Sequence, residues 1–218
     1  EILRQINDFN DKGVKGFIIH PRIGIPKEIE YLSDRFMELV SCAVLEAKKL
    51  GMKVILYDEA MYPSGSAHGM VVKKNPNYAS KGLRMKEYPC NNGVFSKSLT
   101  KEEEEKLVSV QVVKKTSSGQ IIPESISKVN IVDNTISFKG KDSENWSILL
   151  FFQEFTKGHI RGIHFGEDDG EENPPASSDL LNIDAVNEFI AITYDRYYEV
   201  LKEFFSDTII GFFTDEPS

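Results

Sequence analysis

Two short runs of apolar residues near the start of the chain predict buried strands. Residues 14–20 (VKGFIIH) and 53–57 (KVILY) are largely apolar, which is typical of strands covered on both faces. Between them, apolar residues recur at helical spacing over 33–50, with Ser33 or Asp34 as the candidate N-cap, and Gly51 follows at the position where helices commonly end. A strand, a helix and a second strand of these lengths predict a right-handed parallel crossover unit.

The last part of the chain shows the same succession of helical and strand patterns. Apolar residues at helical spacing over 183–205 predict a long helix, and the run 208–213 (TIIGFF) predicts a third buried strand. We expect the strands 14–20, 53–58 and 208–214 to be parallel and adjacent in that order, with the two long helices on one side. The expected fold class is therefore α/β.

The middle of the chain changes to the hydrophobic period of two that strands have. The candidate strands are 107–114, 131–132, 135–139 and 146–155, with a turn at Asp133-Asn134. We therefore expect an antiparallel β-subdomain over 83–156, inserted into an α/β frame that consists of 1–82 and 157–218.

Charge and composition exclude several classes of function. The 218 residues include 26 Lys and Arg against 34 Asp and Glu, for a net charge of −8. Binding to nucleic acid requires a basic surface, and a membrane-spanning helix requires about 20 apolar residues, so neither partner is expected.

The two cysteines, Cys42 and Cys90, lack the spacing of a zinc site. The chain begins without Met, and we expect both of its ends to continue in a longer protein.

Polar side chains follow each of the three predicted parallel strands. They are His20 and Arg22, then Tyr57, Asp58 and Glu59, and finally Thr214, Asp215 and Glu216. The carboxyl ends of parallel strands meet at one edge of the sheet, where the active sites of α/β folds lie. Several carboxylates with one cationic neighbour suit paired acid and base chemistry. The sequence therefore predicts an acidic site at this edge.

Four short motifs, three of them at these strand ends, resemble the α-L-rhamnosidase-like glycoside hydrolases, which comprise glycoside hydrolase family 106 and related bacterial glycosidases. The matching motifs are HPR at 20–22, YDE at 57–59, YPSG at 62–65 and TDEP at 214–217. With the helices around them they cover much of the chain outside the inserted β-subdomain. His68-Gly69 stands where that family usually has a Gly-Gly step, so the loop there is expected to differ.

The resemblance implies a partial TIM (β/α)8-type barrel from a larger multidomain enzyme. The three parallel strands would be the second, third and fourth strands of that barrel, and the remainder of the parent polypeptide would supply the others. The implied activity is hydrolysis of glycosidic bonds, with α-L-rhamnosides as the candidate substrates. A sheet with open edges would alternatively be covered in a homodimer.

The resemblance also implies a role for each side chain at the strand ends. Glu216, at the end of the fourth barrel strand, is the expected proton donor, and Glu59 is a candidate second catalytic carboxylate. The expected substrate-binding residues are His20, Arg22, Tyr57, Asp58, Tyr62 and Asp215. The two tyrosines would form a flat apolar wall against a sugar ring. Asp58 and Glu59 could alternatively hold calcium, and no other cofactor is expected.

The same strand pattern also fits a second class of protein. A non-catalytic carbohydrate-binding or scaffold module on a degenerate barrel would have the same strand pattern but would lack a complete set of catalytic carboxylates.

His159 and His164 would point to opposite faces of a strand, so a metal site made from this pair is not expected. The acidic segment 166–178 is expected to be a solvated turn, because it lacks the residue order of a calcium loop.

Overall fold

The computed structural model describes residues 1–22, 25–26, 28–141, 143–160 and 174–217 of the protein. His164 and the acidic residues 167–172 lie outside the described residues. The chain divides into two compact units. The first, which we call the α/β unit, consists of Glu1–Ser80 and Lys157–Ser218, and the second, the β unit, is Lys81–Thr156.

The described residues form helices and strands in both units. The helices are α1 (Ile2–Asp11), α2 (Asp34–Lys49), α3 (Met70–Lys74), α4 (Lys101–Lys106) and α5 (Ile183–Leu201). The strands are β1 (Gly16–Ile19), β2 (Lys53–Tyr57), β3 (Lys81–Pro89), β4 (Val94–Ser98), β5 (Leu107–Lys114), β6 (Ser127–Lys128), β7 (Ile131–Val132), β8 (Thr135–Lys139), β9 (Trp146–Phe155) and β10 (Ile209–Phe213). No helix in this part of the chain is long and apolar enough to cross a membrane.

The α/β unit contains a three-stranded parallel sheet with the order β1-β2-β10. Both pairings are parallel, so the prediction of three parallel strands adjacent in that order is confirmed. The described strands do not close into a barrel, because β1 and β10 are both edge strands of this sheet. The mixed α/β class is thus established.

Only one face of the parallel sheet is fully buried, and this corrects the prediction of strands covered on both faces. Val54 and Leu56 of β2 are fully buried in a core that also contains residues of α2 and α5. Successive side chains of a strand point to opposite faces. On the other face Ile18 is 46% exposed, and Ile210, at an irregularity in the β10 register, is 57% exposed. The described helices cover the first face, and the second keeps apolar side chains in contact with solvent.

Local signals define the long helix α2 as the sequence predicts. The Ser33 side chain accepts a hydrogen bond from the backbone N–H of Phe36, which satisfies one of the free donors of the first turn. Lys48 and Lys49 occupy the last turn, where cations interact favourably with the helix dipole. Gly51 follows with a φ of 67°, a conformation that glycine adopts without strain.

The β unit contains two antiparallel sheets. Their strand orders are β3-β9-β5-β6 and β4-β8-β7. The turn at Asp133-Asn134 joins β7 to β8, and both turn residues have positive φ angles, as a type I′ hairpin requires. The predicted strands of this unit did not include β3, β4 or β6. In β3 the alternation of apolar and charged residues covers only 83–86, and its apolar members, Leu83 and Met85, are 67% and 50% exposed.

The buried face of the parallel sheet yields a prediction about stability. Leu56→Ala removes a fully buried side chain and should lower the free energy of unfolding by about 2–5 kcal/mol. Leu45→Ala makes the same change in α2, where the leucine is 46% exposed, and should change that free energy by less than about 1 kcal/mol. Urea unfolding followed by far-ultraviolet circular dichroism measures both. Equal losses for the two variants would contradict this description of the core.

Candidate functional site

The carboxyl ends of β1, β2 and β10 bring the polar side chains of three segments together. The His20 ring, just after β1, stacks on the Tyr57 ring of β2 with 4.2 Å between centroids and 2° between planes. Tyr57 also contacts Phe213 of β10, with ring centroids 5.5 Å apart. These contacts bring residues from three separate parts of the sequence to one edge of the sheet. We call the polar group around this edge, His20, Arg22, Tyr62, Asp215 and Glu216, the rim.

Arg22 supplies the cationic member of the rim. Its guanidinium carbon lies 5.3 Å from the centre of the Tyr62 ring and 5.8 Å from that of Tyr57, within the range of cation–π attraction. Its Nη2 atom lies 3.3 Å from Oδ2 of Asp215 in a largely buried ion pair. The Nε and Nη2 atoms of Arg22 make no hydrogen bond, although both are buried. Arg22 therefore offsets the charge of Asp215 and keeps unused hydrogen-bond donors.

Asp58 is fully buried directly after β2, and hydroxyl groups satisfy its carboxylate. Oδ1 accepts a hydrogen bond of 2.7 Å from Ser64. Oδ2 accepts bonds of 2.7 Å from the hydroxyls of both Tyr194 and Thr214. A buried carboxylate is tolerated only when such donors replace water. Asp58 thereby links the end of β2 to a following loop, to α5 and to the end of β10.

Glu59 is also fully buried, and backbone N–H groups satisfy both of its carboxylate oxygens. Oε1 accepts from Ala60 at 2.9 Å and from His68 at 2.6 Å. Oε2 accepts from Ser66 at 2.9 Å and from Ala67 at 2.7 Å. Burial raises the pKa of Glu59, and these four N–H groups act in the opposite direction. Residues 60–69, which we call the site loop, therefore wrap around this one side chain.

These contacts correct the predicted roles of Asp58 and Glu59. Their oxygens face O–H and N–H donors, whereas a calcium ion would need the same lone pairs as ligands. Among the described residues no group of three or more His, Cys, Asp or Glu side chains could hold a metal ion. The two carboxylates hold the site together, and neither is exposed to a substrate.

Glu216 is the exposed carboxylate of the rim. Its Oε2 accepts a hydrogen bond from the Tyr62 hydroxyl of the site loop. Its backbone φ is 40°, which is uncommon for a residue that carries a Cβ atom. Just before it, Asp215 exchanges two hydrogen bonds of 3.0 Å with Ser64, one through its backbone N–H and one through its carbonyl oxygen. The end of β10 and the site loop therefore form one hydrogen-bonded structure.

The two predicted aromatic residues have different surroundings. Tyr57 is fully buried, its ring contacts His20 and Phe213, and its hydroxyl donates to the carbonyl oxygen of Met61 at 2.8 Å. Burial raises the pKa of Tyr57 to about 12. Tyr57 cannot present a ring to a sugar, which corrects its assignment as a wall of the site. Tyr62 is only partly buried and keeps that assignment as a prediction.

Three residues of the site have no role assigned to them in the sequence-based prediction. They are Ser64, Tyr194 and Thr214, and their hydroxyls all donate to Asp58. The helical spacing of α5 indicates that Tyr194 faces inward, but a spacing pattern does not show where its hydroxyl goes. Ser64 lies in the YPSG motif, and Thr214 begins TDEP, so proximity to the predicted motifs was the available signal.

No protein-family model and no curated protein matches this chain.

The charges of the rim predict how the pKa of His20 changes when Arg22 or Asp215 is replaced. Desolvation of the ring and the charge of Arg22 lower the pKa of His20 below its usual 6.5, and Asp215 acts in the opposite direction. An NMR titration should therefore show Arg22→Gln raising this pKa and Asp215→Asn lowering it further. Because the unfolded chain binds this proton more readily, the folded state should lose stability as the pH falls below about 6.5. Equal pKa values in all three proteins would rule out this arrangement.

The contacts of Glu59 predict that its replacement by Gln, a side chain of nearly the same shape, lowers the free energy of unfolding. Each carboxylate oxygen accepts from two N–H groups, so the amide of Glu59→Gln meets two donors in either orientation. This variant should lose about 1–3 kcal/mol of unfolding free energy, and the amides of 66–68 should exchange hydrogen faster. The control Glu38→Gln alters an exposed side chain and should cost less than about 0.5 kcal/mol. Unchanged exchange at 66–68 would contradict the anchoring role of Glu59.

Proposed function

We propose that this chain is part of the catalytic domain of a glycoside hydrolase that resembles the α-L-rhamnosidase-like enzymes. The observation that carries the proposal is the arrangement of the rim. An exposed carboxylate, Glu216, accepts a hydrogen bond from Tyr62, and an Arg22–Asp215 ion pair lies beside it at the ends of three parallel strands. Glycoside hydrolysis needs a carboxylic acid that reaches the leaving oxygen, and Glu216 is the candidate.

The exposed face of the parallel sheet supports a partial (β/α)8-type barrel as the architecture. In such barrels the helices cover the outer face, and the inner face packs against side chains of the other strands. Ile18 and Ile210 lie on the face that none of the described helices covers, and β1 and β10 are the edge strands of the described sheet. Closing a barrel takes about eight strands. We propose that the remainder of the parent polypeptide supplies the other strands, with a homodimer as the alternative cover for this face.

The roles follow from what each side chain contacts. Glu216 donates the proton to the leaving oxygen, and Tyr62 orients its carboxyl group through their hydrogen bond. Asp215 accepts hydrogen bonds from hydroxyl groups of the substrate, and Arg22, whose unused Nε and Nη2 donors are buried, holds the Asp215 carboxylate through their ion pair. Because Glu59 is committed to the site loop, the second catalytic carboxylate comes from the remainder of the parent polypeptide.

A carbohydrate-binding module without catalytic activity is the second candidate. One observation favours it: two of the four strand-end carboxylates, Asp58 and Glu59, are fully buried and make only internal contacts. Glu216 and Asp215 are then the two rim carboxylates that could contact a substrate, and Asp215 already forms an ion pair with Arg22. Such a set can bind hydroxyl groups without cleaving a glycosidic bond.

The proposal predicts how replacing Glu216 affects turnover in the parent polypeptide. Glu216→Gln should lower kcat on glycosides with poor leaving groups by on the order of 10²–10⁴, because the proton donor is lost. Activated aryl glycosides, which need less protonation, should be affected less. Glu203→Gln, the same change at an exposed position, is the matched control and should keep parental rates. Steady-state kinetics on aryl α-L-rhamnosides with different leaving groups measures these effects.

Two results would count against the enzyme. A Glu216→Gln variant that hydrolyses every substrate at the parental rate would make Glu216 a structural carboxylate. A parent polypeptide that binds glycosides but cleaves none would favour the carbohydrate-binding module.

A further inference from the structure

We propose that Ser64 is a positioning residue that holds Tyr62 and Glu216 in their hydrogen-bonded arrangement. The effect of Ser64 on catalysis rests on the proposed function, whereas its effect on the positions of Tyr62 and Glu216 does not. Ser64 is almost fully buried, with 2% of its surface exposed, so it cannot itself contact a substrate. Ser64 contacts Asp58 after β2 and Asp215 after β10, and these contacts give it the positioning role.

Three hydrogen bonds of Ser64 hold the site loop in place: one joins it to Asp58, at the end of β2, and two join it to Asp215, at the end of β10. Its hydroxyl donates to Oδ1 of Asp58 at 2.7 Å and accepts from the backbone N–H of Asp215 at 3.0 Å. Its own backbone N–H donates to the carbonyl oxygen of Asp215, also at 3.0 Å. The side chain and backbone of one residue thus hold both polar backbone groups of Asp215.

The acceptor of the Ser64 hydroxyl is itself fixed. Asp58 is fully buried, and its other oxygen accepts from Tyr194 and from Thr214. Thr214 directly precedes Asp215, so Asp58 holds the end of β10 through Thr214 and, by way of Ser64, through Asp215. The three hydroxyl donors and one carboxylate leave little freedom to the chain between β10 and Glu216.

The Ser64–Asp215 link determines where the neighbouring side chains meet. Tyr62 lies two residues before Ser64, and Glu216 lies one residue after Asp215. Holding Ser64 against Asp215 therefore brings the Tyr62 hydroxyl to the Glu216 carboxylate. Glu216 adopts its uncommon positive φ directly after this link, and such a conformation persists only where its surroundings hold it.

The chain offers a closely matched control at Ser66. Ser66 lies in the same site loop and is also 2% exposed, but its hydroxyl accepts from the backbone N–H of Ser178 at 3.0 Å. Ser64→Ala and Ser66→Ala each remove one buried hydroxyl from the site loop. Only the first removes the acceptor of the Asp215 N–H and the donor to Oδ1 of Asp58, so that these two atoms lose their hydrogen bonds.

The first experiment measures geometry in the 218-residue chain and does not depend on activity. Nuclear Overhauser effects between the Tyr62 ring and the Glu216 side chain should be present in the parent and in Ser66→Ala, and lost in Ser64→Ala. If Ser64→Ala does not fold, Ser64→Cys replaces it, because a thiol has nearly the same shape and hydrogen-bonds weakly. Retention of the Tyr62–Glu216 contacts in the Ser64 variant would overturn the proposal.

The second experiment measures the leaving-group dependence of kcat in the parent polypeptide. A misplaced proton donor should lower kcat for poor leaving groups by on the order of 10²-fold in Ser64→Ala, with KM little changed and activated substrates affected less. A general loss of folded protein would lower all rates by one factor, and that result would overturn the catalytic part of the proposal. A parent polypeptide that cleaves no glycoside would defeat the proposed function, while the contacts measured by NMR would still decide the positioning role.

Discussion

The site depends on how two adjacent carboxyl side chains, Asp58 and Glu59, are satisfied away from water. Removing a carboxylate from water costs several kcal/mol unless hydrogen-bond donors replace the solvent. Hydroxyls of three separate segments supply the donors to Asp58, and four backbone N–H groups of the site loop supply those to Glu59. The structure around the carboxyl end of β2 is therefore organised by the requirement to surround two charges with donors.

This requirement divides the strand-end carboxylates into two groups with different functions. Asp58 and Glu59 hold the site loop and the end of β10, while Asp215 and Glu216 remain at the rim, beside Arg22 and Tyr62. A rigid inner layer that positions an outer layer is what a catalytic constellation needs, because small displacements of a proton donor reduce the rate strongly. The division is equally suited to firm binding of hydroxyl groups, which is why the proposed enzyme and the carbohydrate-binding module share the same rim.

The parallel sheet places a second constraint on the protein. One face is covered by residues of α2 and α5, whereas the other exposes Ile18 and Ile210, and both edge strands lack a neighbour in the described sheet. Exposed apolar faces and open strand edges favour association with further protein. The proposed closed barrel would satisfy both, and the rim would then lie at its carboxyl-end opening.

The sequence by itself determined the three parallel strands, their order and the helix α2, because compact apolar runs, helical spacing and a Ser33 cap are local signals. It also located the strand-end carboxylates. Only the tertiary structure decided which of them are buried, because the donors to Asp58 include Tyr194 and Thr214, which lie 136 and 156 residues away along the chain. Three strands predict a sheet with open edges, but only the tertiary structure decided that Ile18 and Ile210 are the exposed side chains, because an apolar run does not show which face of its strand the helices cover.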